Sequence, residues 1–235
     1  MAVSCQGSLP FLNESVDRGV LIENENLKCD PRITMNILFH ICCAPCAIYP
    51  LSRLQEEGFA VQGYFYNPNI HPYLEYQKRL RTLQEFSTRI GLSVSYDEGD
   101  DLDEFLVRVA GKGTGRCEQC YRMRLDAAAA EAAKNGAGLF TSSLLYSKYQ
   151  KHDLIRGVAK EMAWEHGIEF YYEDFRAGWR EGIMESKAMG LYRQQYCGCI
   201  YSERERFQKS SGKQQDTGAD PAEGREGKIT KGKKL

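Results

Sequence analysis

The chain has 235 residues, enough for one substantial domain with tails, and its 42% hydrophobic and 27% charged content is ordinary for a soluble globular protein. A formal net charge of −1 excludes a nucleic-acid binder that relies on global positive charge, so any such surface is local. No apolar run is long enough to span a bilayer, and the opening MAVSCQGSLPFLN has neither a basic leader nor an apolar signal segment. The expected compartment is therefore the cytoplasm, with no membrane partner.

Residues 1–33 mix polar residues with short apolar pieces and read as a loosely ordered leader. Met35–Ile41 is a compact apolar run and reads as a buried strand. A helix is expected over Ala47–Glu57, then a strand over Ala60–Tyr66 that Asn67-Pro68-Asn69 stops. A long amphipathic helix runs from Pro72 to Arg89 and ends at Gly91. Leu92–Tyr96 reads as a third strand, and Asp101–Val109 as a helix with an acidic start.

A loop with Gly111, Gly113 and Gly115 leads to an Ala-rich helix over Glu118–Lys134. Strands at Leu139–Ser142 and Ile168–Tyr172 flank a helix over Lys151–His166, and helical turns follow from Trp179 to Met189. Strands alternating with helices predict an α/β domain over residues 34–202, its parallel sheet covered by helices on both faces. Residues 203–235, rich in Gly and charge and nearly without aliphatics, read as a disordered tail.

Nine cysteines in a chain expected to lie in a reducing compartment point to metal binding or redox chemistry rather than a disulfide framework. Cys5 and Cys29 lie in the leader. The others form three tight groups, Cys42-Cys43-x-x-Cys46, Cys117-x-x-Cys120 and Cys197-Gly198-Cys199. The first follows the first expected strand, where ligands gather in such sheets. Cys42 and Cys43 can approach neighbouring irons if the chain turns sharply, which Pro45 encourages. Cys117 and Cys120 share one face at a helix start, where the dipole stabilises thiolates.

Two thiolates from each loop complete an iron–sulfur cluster, and the same four suit a structural zinc. Cys46 is a candidate ligand for a second metal, or simply starts the following helix. A disulfide closing Cys197-Gly198-Cys199 is constrained and reducible, which suits electron transfer; the alternative is two further structural ligands.

These groups and their neighbours resemble the cobalamin-independent epoxyqueuosine reductases of QueH type. The resemblance rests on HICCAPC at 40–46, YFYNPNIHPYLEYQKR at 64–79, RCEQCYRMRL at 116–125, FTSSLLYSKYQKHDLI at 140–155 and GLYRQQYCGCIYS at 190–202. It implies reduction of epoxyqueuosine to queuosine at the tRNA wobble position, the last step of queuosine biosynthesis. It further implies a [4Fe–4S] cluster on Cys42, Cys43, Cys117 and Cys120, and a redox-active Cys197–Cys199 pair that forms a disulfide.

An additional mononuclear iron, held with the help of Cys46, is the expectation for stabilising the departing oxygen. The implied fold is similar to the HUP, or adenine-nucleotide alpha-hydrolase-like, domain of adenylating tRNA-modification enzymes. HICCAPC stands where those enzymes carry a glycine-rich phosphate loop, which argues against ATP use.

For the tRNA, Tyr64, Tyr66, Tyr73 and Tyr76 are available for stacking and Lys78, Arg79 and Arg81 for phosphate contacts. Such residues are more often core or solvated faces. The segment with Lys148, Lys151 and His152 is better placed. His40 reads as packed within its strand, and Asn67 and Asn69 either form the turn or read the substrate. The rival readings are a zinc-stabilised RNA-binding module, or another iron–sulfur tRNA-modification enzyme. The electron donor and the oligomeric state are not readable from the sequence.

Overall fold

A computed structural model describes residues 35–99 and 101–211. The leader, with Cys5 and Cys29, and residues 212–235 lie outside the described residues. Five strands form one parallel sheet: β1 (Asn36–His40), β2 (Ala60–Phe65), β3 (Val94–Tyr96), β4 (Leu139–Ser142) and β5 (Glu169–Phe170), in the order β3-β2-β1-β4-β5. Helix α1 (Ala44–Glu56) joins β1 to β2 and α2 (Tyr73–Ile90) joins β2 to β3. Helices α3 (Leu102–Val109) and α4 (Arg116–Lys134) cross to β4, and α5 (His152–Glu165) leads to β5. Helix α6 (Trp179–Ala188) packs beside α1, and α7 (Ile200–Ser211) completes the described chain.

The expected α/β architecture is the observed one. Crossovers between parallel strands are right-handed, which sets α1 and α2 on one face and α3 to α5 on the other. The central strand is then covered on both faces, and Ile37, Leu38 and Phe39 are fully buried. Gly91 ends α2 in the left-handed region, at φ 70°, where a β-carbon would clash with its own carbonyl.

The edge strands are shorter than expected, Val94–Tyr96 and Glu169–Phe170, because only those residues find a partner in the ladder. At the far end, the disorder expected from 203 gives way to helix through Ser211. There the Arg116 guanidinium lies over Tyr201 and pairs with Glu205, and the Phe207 ring meets Tyr196. Long-range contacts hold a turn whose composition alone does not.

The order of the strands matters for function. From β1 the chain winds outward through β2 to β3, then returns to β4 on the other side of β1. The crevice at such a reversal opens beyond the carboxyl ends of β1 and β4, and ligands collect there. Cys42 follows one of these strands and Ser143 follows the other.

Phe39→Ala removes the widest buried ring of β1 and is expected to cost about 3–5 kcal/mol of unfolding free energy. Val107→Ala, at a residue 76% exposed, should stay within about 0.5 kcal/mol. Urea unfolding followed by circular dichroism checks both.

Candidate metal and redox centre

The chain leaves β1 at His40 and turns at once into α1. Cys43 caps that helix in an extended conformation, Pro45 lies in its first turn, and the Cys46 amide donates back to the Cys43 carbonyl at 3.2 Å. This tight entry draws three sulfurs together: the Sγ atoms of Cys42, Cys43 and Cys46 all lie within 4.8 Å of one another, and those of Cys42 and Cys43 are 3.7 Å apart. Ser143, across the crevice, accepts the Cys42 amide at 3.0 Å and donates its hydroxyl to Cys42 Sγ at 3.3 Å. Gln194 donates to the Sγ atoms of Cys43 at 2.9 Å and Cys46 at 3.1 Å.

Protons are shared unevenly in the trio. Hydrogen bonds from Cys43 and then Cys46 hold Cys42 well below the ordinary thiol range. Cys43 moves up, first through burial, and Cys46 moves up, first through its bond to Cys42. Cys42 is thus the most readily ionised of the three. His40 is no ligand: it bonds Ser142 at 2.7 Å and the Tyr66 carbonyl at 3.2 Å. Burial, with Arg124 assisting, lowers its pKa to about 3 and keeps the ring neutral.

Cys117 and Cys120 open α4, outside the mutually close trio. Cys120 is buried, and burial pushes its thiol up to about 12 against the pull of Arg124. It is near enough to Cys197 and Cys199 for their charges to act on it. Cys197 and Cys199 are free thiols here; burial and then Cys199 raise Cys197. Gln150 donates to Cys197 Sγ at 3.1 Å.

Arg124 spans the two sulfur groups. It is 1% exposed, donates to Asn67 Oδ1 at 2.7 Å, and has no carboxylate partner among the described residues. Burial alone would lower its pKa, yet the charges of Cys120, Cys42 and Cys197 prevail and raise it. Its Nε is buried with no hydrogen-bond partner among the described residues. An inorganic sulfide or a further thiolate is the kind of acceptor that this N–H lacks.

Asn67 also donates to the Ile41 carbonyl at 2.9 Å, so it does more than form the turn. Asn69 is fully buried with both amide atoms unpartnered among the described residues, and a β-carbon at Gly198 would lie 2.9 Å from its Nδ2. Only glycine fits that approach, and its φ of 135° is one that side-chain-bearing residues rarely adopt.

Arg79 differs from the expectation of phosphate contact. It is 1% exposed, pairs with Glu75 at 2.8 Å, and donates to the carbonyls of Cys197 at 3.0 Å and Tyr196 at 3.1 Å. A guanidinium tied inward through all three of its nitrogens has no arm left for RNA. Tyr64 and Tyr66 are likewise buried, while Tyr73 is exposed, and Lys78 and Arg81 are also at the surface. His152 is buried against the Tyr172 hydroxyl, whereas Lys148 and Lys151 are exposed. Gln150, Gln194, Ser143, Glu75 and Arg124 were not singled out by sequence reasoning.

The chain matches the family model described as epoxyqueuosine reductase QueH over residues 37–205. A protein named epoxyqueuosine reductase QueH from Dehalococcoides mccartyi is 43% identical over 173 residues, 74% of this chain and 95% of the relative. Its namesake from Thermotoga maritima is 34% identical over 182 residues, 74% of this chain and 93% of the relative. A third, from Streptococcus pyogenes, is 34% identical over 71% of this chain and 70% of its own length.

In metal-free protein at neutral pH, iodoacetamide is expected to label Cys42 first, with Cys43 and Cys46 at least about ten-fold slower. Peptide mass spectrometry over a labelling time course reads the order. Equal rates would contradict the shared-thiolate arrangement.

Proposed function

The chain belongs to the epoxyqueuosine reductase QueH family, and from that premise we propose that it reduces epoxyqueuosine to queuosine at the wobble position of tRNA, the last step of queuosine biosynthesis. The observation that best supports this reading is the gathering of free thiols from three chain segments around buried Arg124, in the crevice where the sheet reverses. No helix among the described residues is long and apolar enough to cross a membrane. We place the enzyme in the cytoplasm, with its tRNA substrate.

Deoxygenating an epoxide to an alkene takes two electrons and two protons: both C–O bonds break, a C=C bond forms, and the oxygen leaves as water. The Cys197–Cys199 dithiol has that capacity, because its oxidation to a disulfide releases two electrons and two protons. An electron donor outside this chain then returns the pair to the dithiol. Arg79 and Gln150 hold the pair in register with the crevice, one through the backbone and one through the sulfur.

Cys42, Cys43, Cys117 and Cys120 are the residues that would hold a [4Fe–4S] cluster. Soft thiolate donors, a buried guanidinium and the unpartnered Arg124 Nε fit an anionic iron–sulfide group. When bound, such a cluster supplies electrons at low potential. Cys46 is the ligand proposed for a neighbouring mononuclear iron. The 3.7 Å between the Cys42 and Cys43 sulfurs suits one metal ion shared by the trio, and the pair would have to spread to hold two irons of a cluster. That distance matches the edge of a tetrahedron around a single ion with bonds of about 2.3 Å.

The same spacing supports the second reading, a zinc-stabilised RNA-binding module. That reading leaves the Gln150–Cys197 contact and the free dithiol without a role.

Nucleoside mass spectrometry of tRNA from cells lacking the protein should show epoxyqueuosine accumulating, and complementation should convert it to queuosine. Unaltered queuosine in cells with no other reductase would overturn the substrate assignment. Cys197→Ser should keep metal content while slowing turnover with the physiological donor by at least about a hundred-fold, the size of loss typical of a removed catalytic group. Loss of iron instead would make Cys197 a ligand.

A further inference from the structure

The segment Ser147–Lys151 leaves the 3-10 turn after β4 (Ser143–Tyr146) and leads into α5. It is a built loop. The Tyr149 amide donates to Ser147 Oγ at 3.3 Å, and the Tyr121 hydroxyl donates to Gln150 Oε1 at 2.6 Å while accepting the Lys151 amide at 3.2 Å. Lys151 Nζ reaches the Thr114 carbonyl at 3.0 Å. Yet this loop turns an aromatic ring outward: Tyr149 is 86% exposed. Its ring meets Trp179 in a T-shaped contact, at 5.8 Å and 78°, which leaves most of the ring open to solvent. Lys148 Nζ stands 5.9 Å from the centre of the Trp179 ring, and Tyr146 packs on the same tryptophan at 5.2 Å.

The position of this platform identifies its occupant. Gln150, the next residue, touches Cys197 Sγ, and adjacent Cα atoms are only about 3.8 Å apart. Tyr149 is thus next in the chain to the residue that touches the Cys197 sulfur, and it lies between the exposed Lys148 and Lys151 in sequence, in a chain whose net charge is close to zero. Single-stranded RNA is read by splaying bases onto aromatic faces beside cations.

We propose that Tyr149, backed by Trp179 and flanked by Lys148, stacks a nucleobase of the anticodon loop next to the wobble nucleotide, holding the reacting residue at the Cys197 thiol. This rests on the reductase reading for the identity of the RNA, but not for the stacking itself. The alternative occupant, a protein electron donor docking on the same ring, is an outcome of the test.

Affinity is measured by fluorescence anisotropy with an anticodon stem–loop and with a duplex hairpin of equal charge, using the metal-loaded protein. Tyr149→Ala should weaken stem–loop binding roughly 5- to 150-fold, the range for loss of one stacked base, with little change for the duplex. Tyr149→Phe should bind as wild type. Trp164→Ala, an equally exposed aromatic at the far end of α5 (83% exposed), should also leave binding unaltered.

Wild-type affinity in Tyr149→Ala overturns the proposal, including where that variant loses coupling to the donor instead. Equal weakening for stem–loop and duplex overturns stacking in favour of plain electrostatics. Selective weakening in a protein that leaves epoxyqueuosine untouched upholds the platform and sinks the reductase reading, so the two failures are distinguishable.

Discussion

A guanidinium buried to 1% exposure carries a desolvation cost of several kcal/mol unless anionic groups surround it. For Arg124 no carboxylate does so among the described residues; the groups whose ionised forms would answer it are the sulfurs of Cys120, Cys42 and Cys197. Sulfur and arginine thus stabilise each other. Arg124 favours the ionised form of the sulfurs around it, most readily that of Cys42, and a sulfur so ionised in turn eases the cost of burying Arg124. The β1–α1 entry, the start of α4 and the Cys197 loop are all placed to meet that one side chain. The topology delivers them there, since the crevice at the reversal between β1 and β4 is where separate chain segments converge without crossing the core.

The second buried arginine does a different job. Arg79 is neutralised by Glu75, which also accepts from the Tyr192 hydroxyl at 2.5 Å. Its remaining N–H groups hold two consecutive carbonyls, those of Tyr196 and Cys197. A His71 amide donating to the Gly198 carbonyl at 2.8 Å adds a further tie. The loop that carries Cys197 and Cys199 is thereby fixed by its backbone, with neither sulfur taken up in these ties. One arginine answers the sulfur charge, and the other fixes the sulfur position.

Much of this was legible from the sequence, and the gaps have identifiable causes. The apolar run Met35–Ile41 marked the central strand because a strand buried on both faces has no polar alternation to confuse it. The cysteine groups announced the site because thiols so tightly grouped are poorly explained by packing. Arg79 was misread because Glu75 and Arg79 have the i, i+4 spacing of a solvated helix pair; the Tyr196 and Cys197 carbonyls that cover this face come from a segment more than a hundred residues later. Gln150 and Gln194 gave no local signal, since a lone glutamine acquires a role only from the sulfur it meets. The helical turn past 203 escaped because Arg116, 89 residues before its partner Glu205, helps to hold it.

The central claim is that the sulfurs of β1–α1 and of α4 surround one inorganic iron–sulfide group. The direct test is iron, zinc and acid-labile sulfide analysis of anaerobically purified wild-type, Cys46→Ala and Cys120→Ala proteins. The account predicts sulfide with iron in modest excess in the wild type, loss of only the excess iron in Cys46→Ala, and loss of both iron and sulfide in Cys120→Ala. Stoichiometric zinc without sulfide, indifferent to Cys120→Ala, would contradict it.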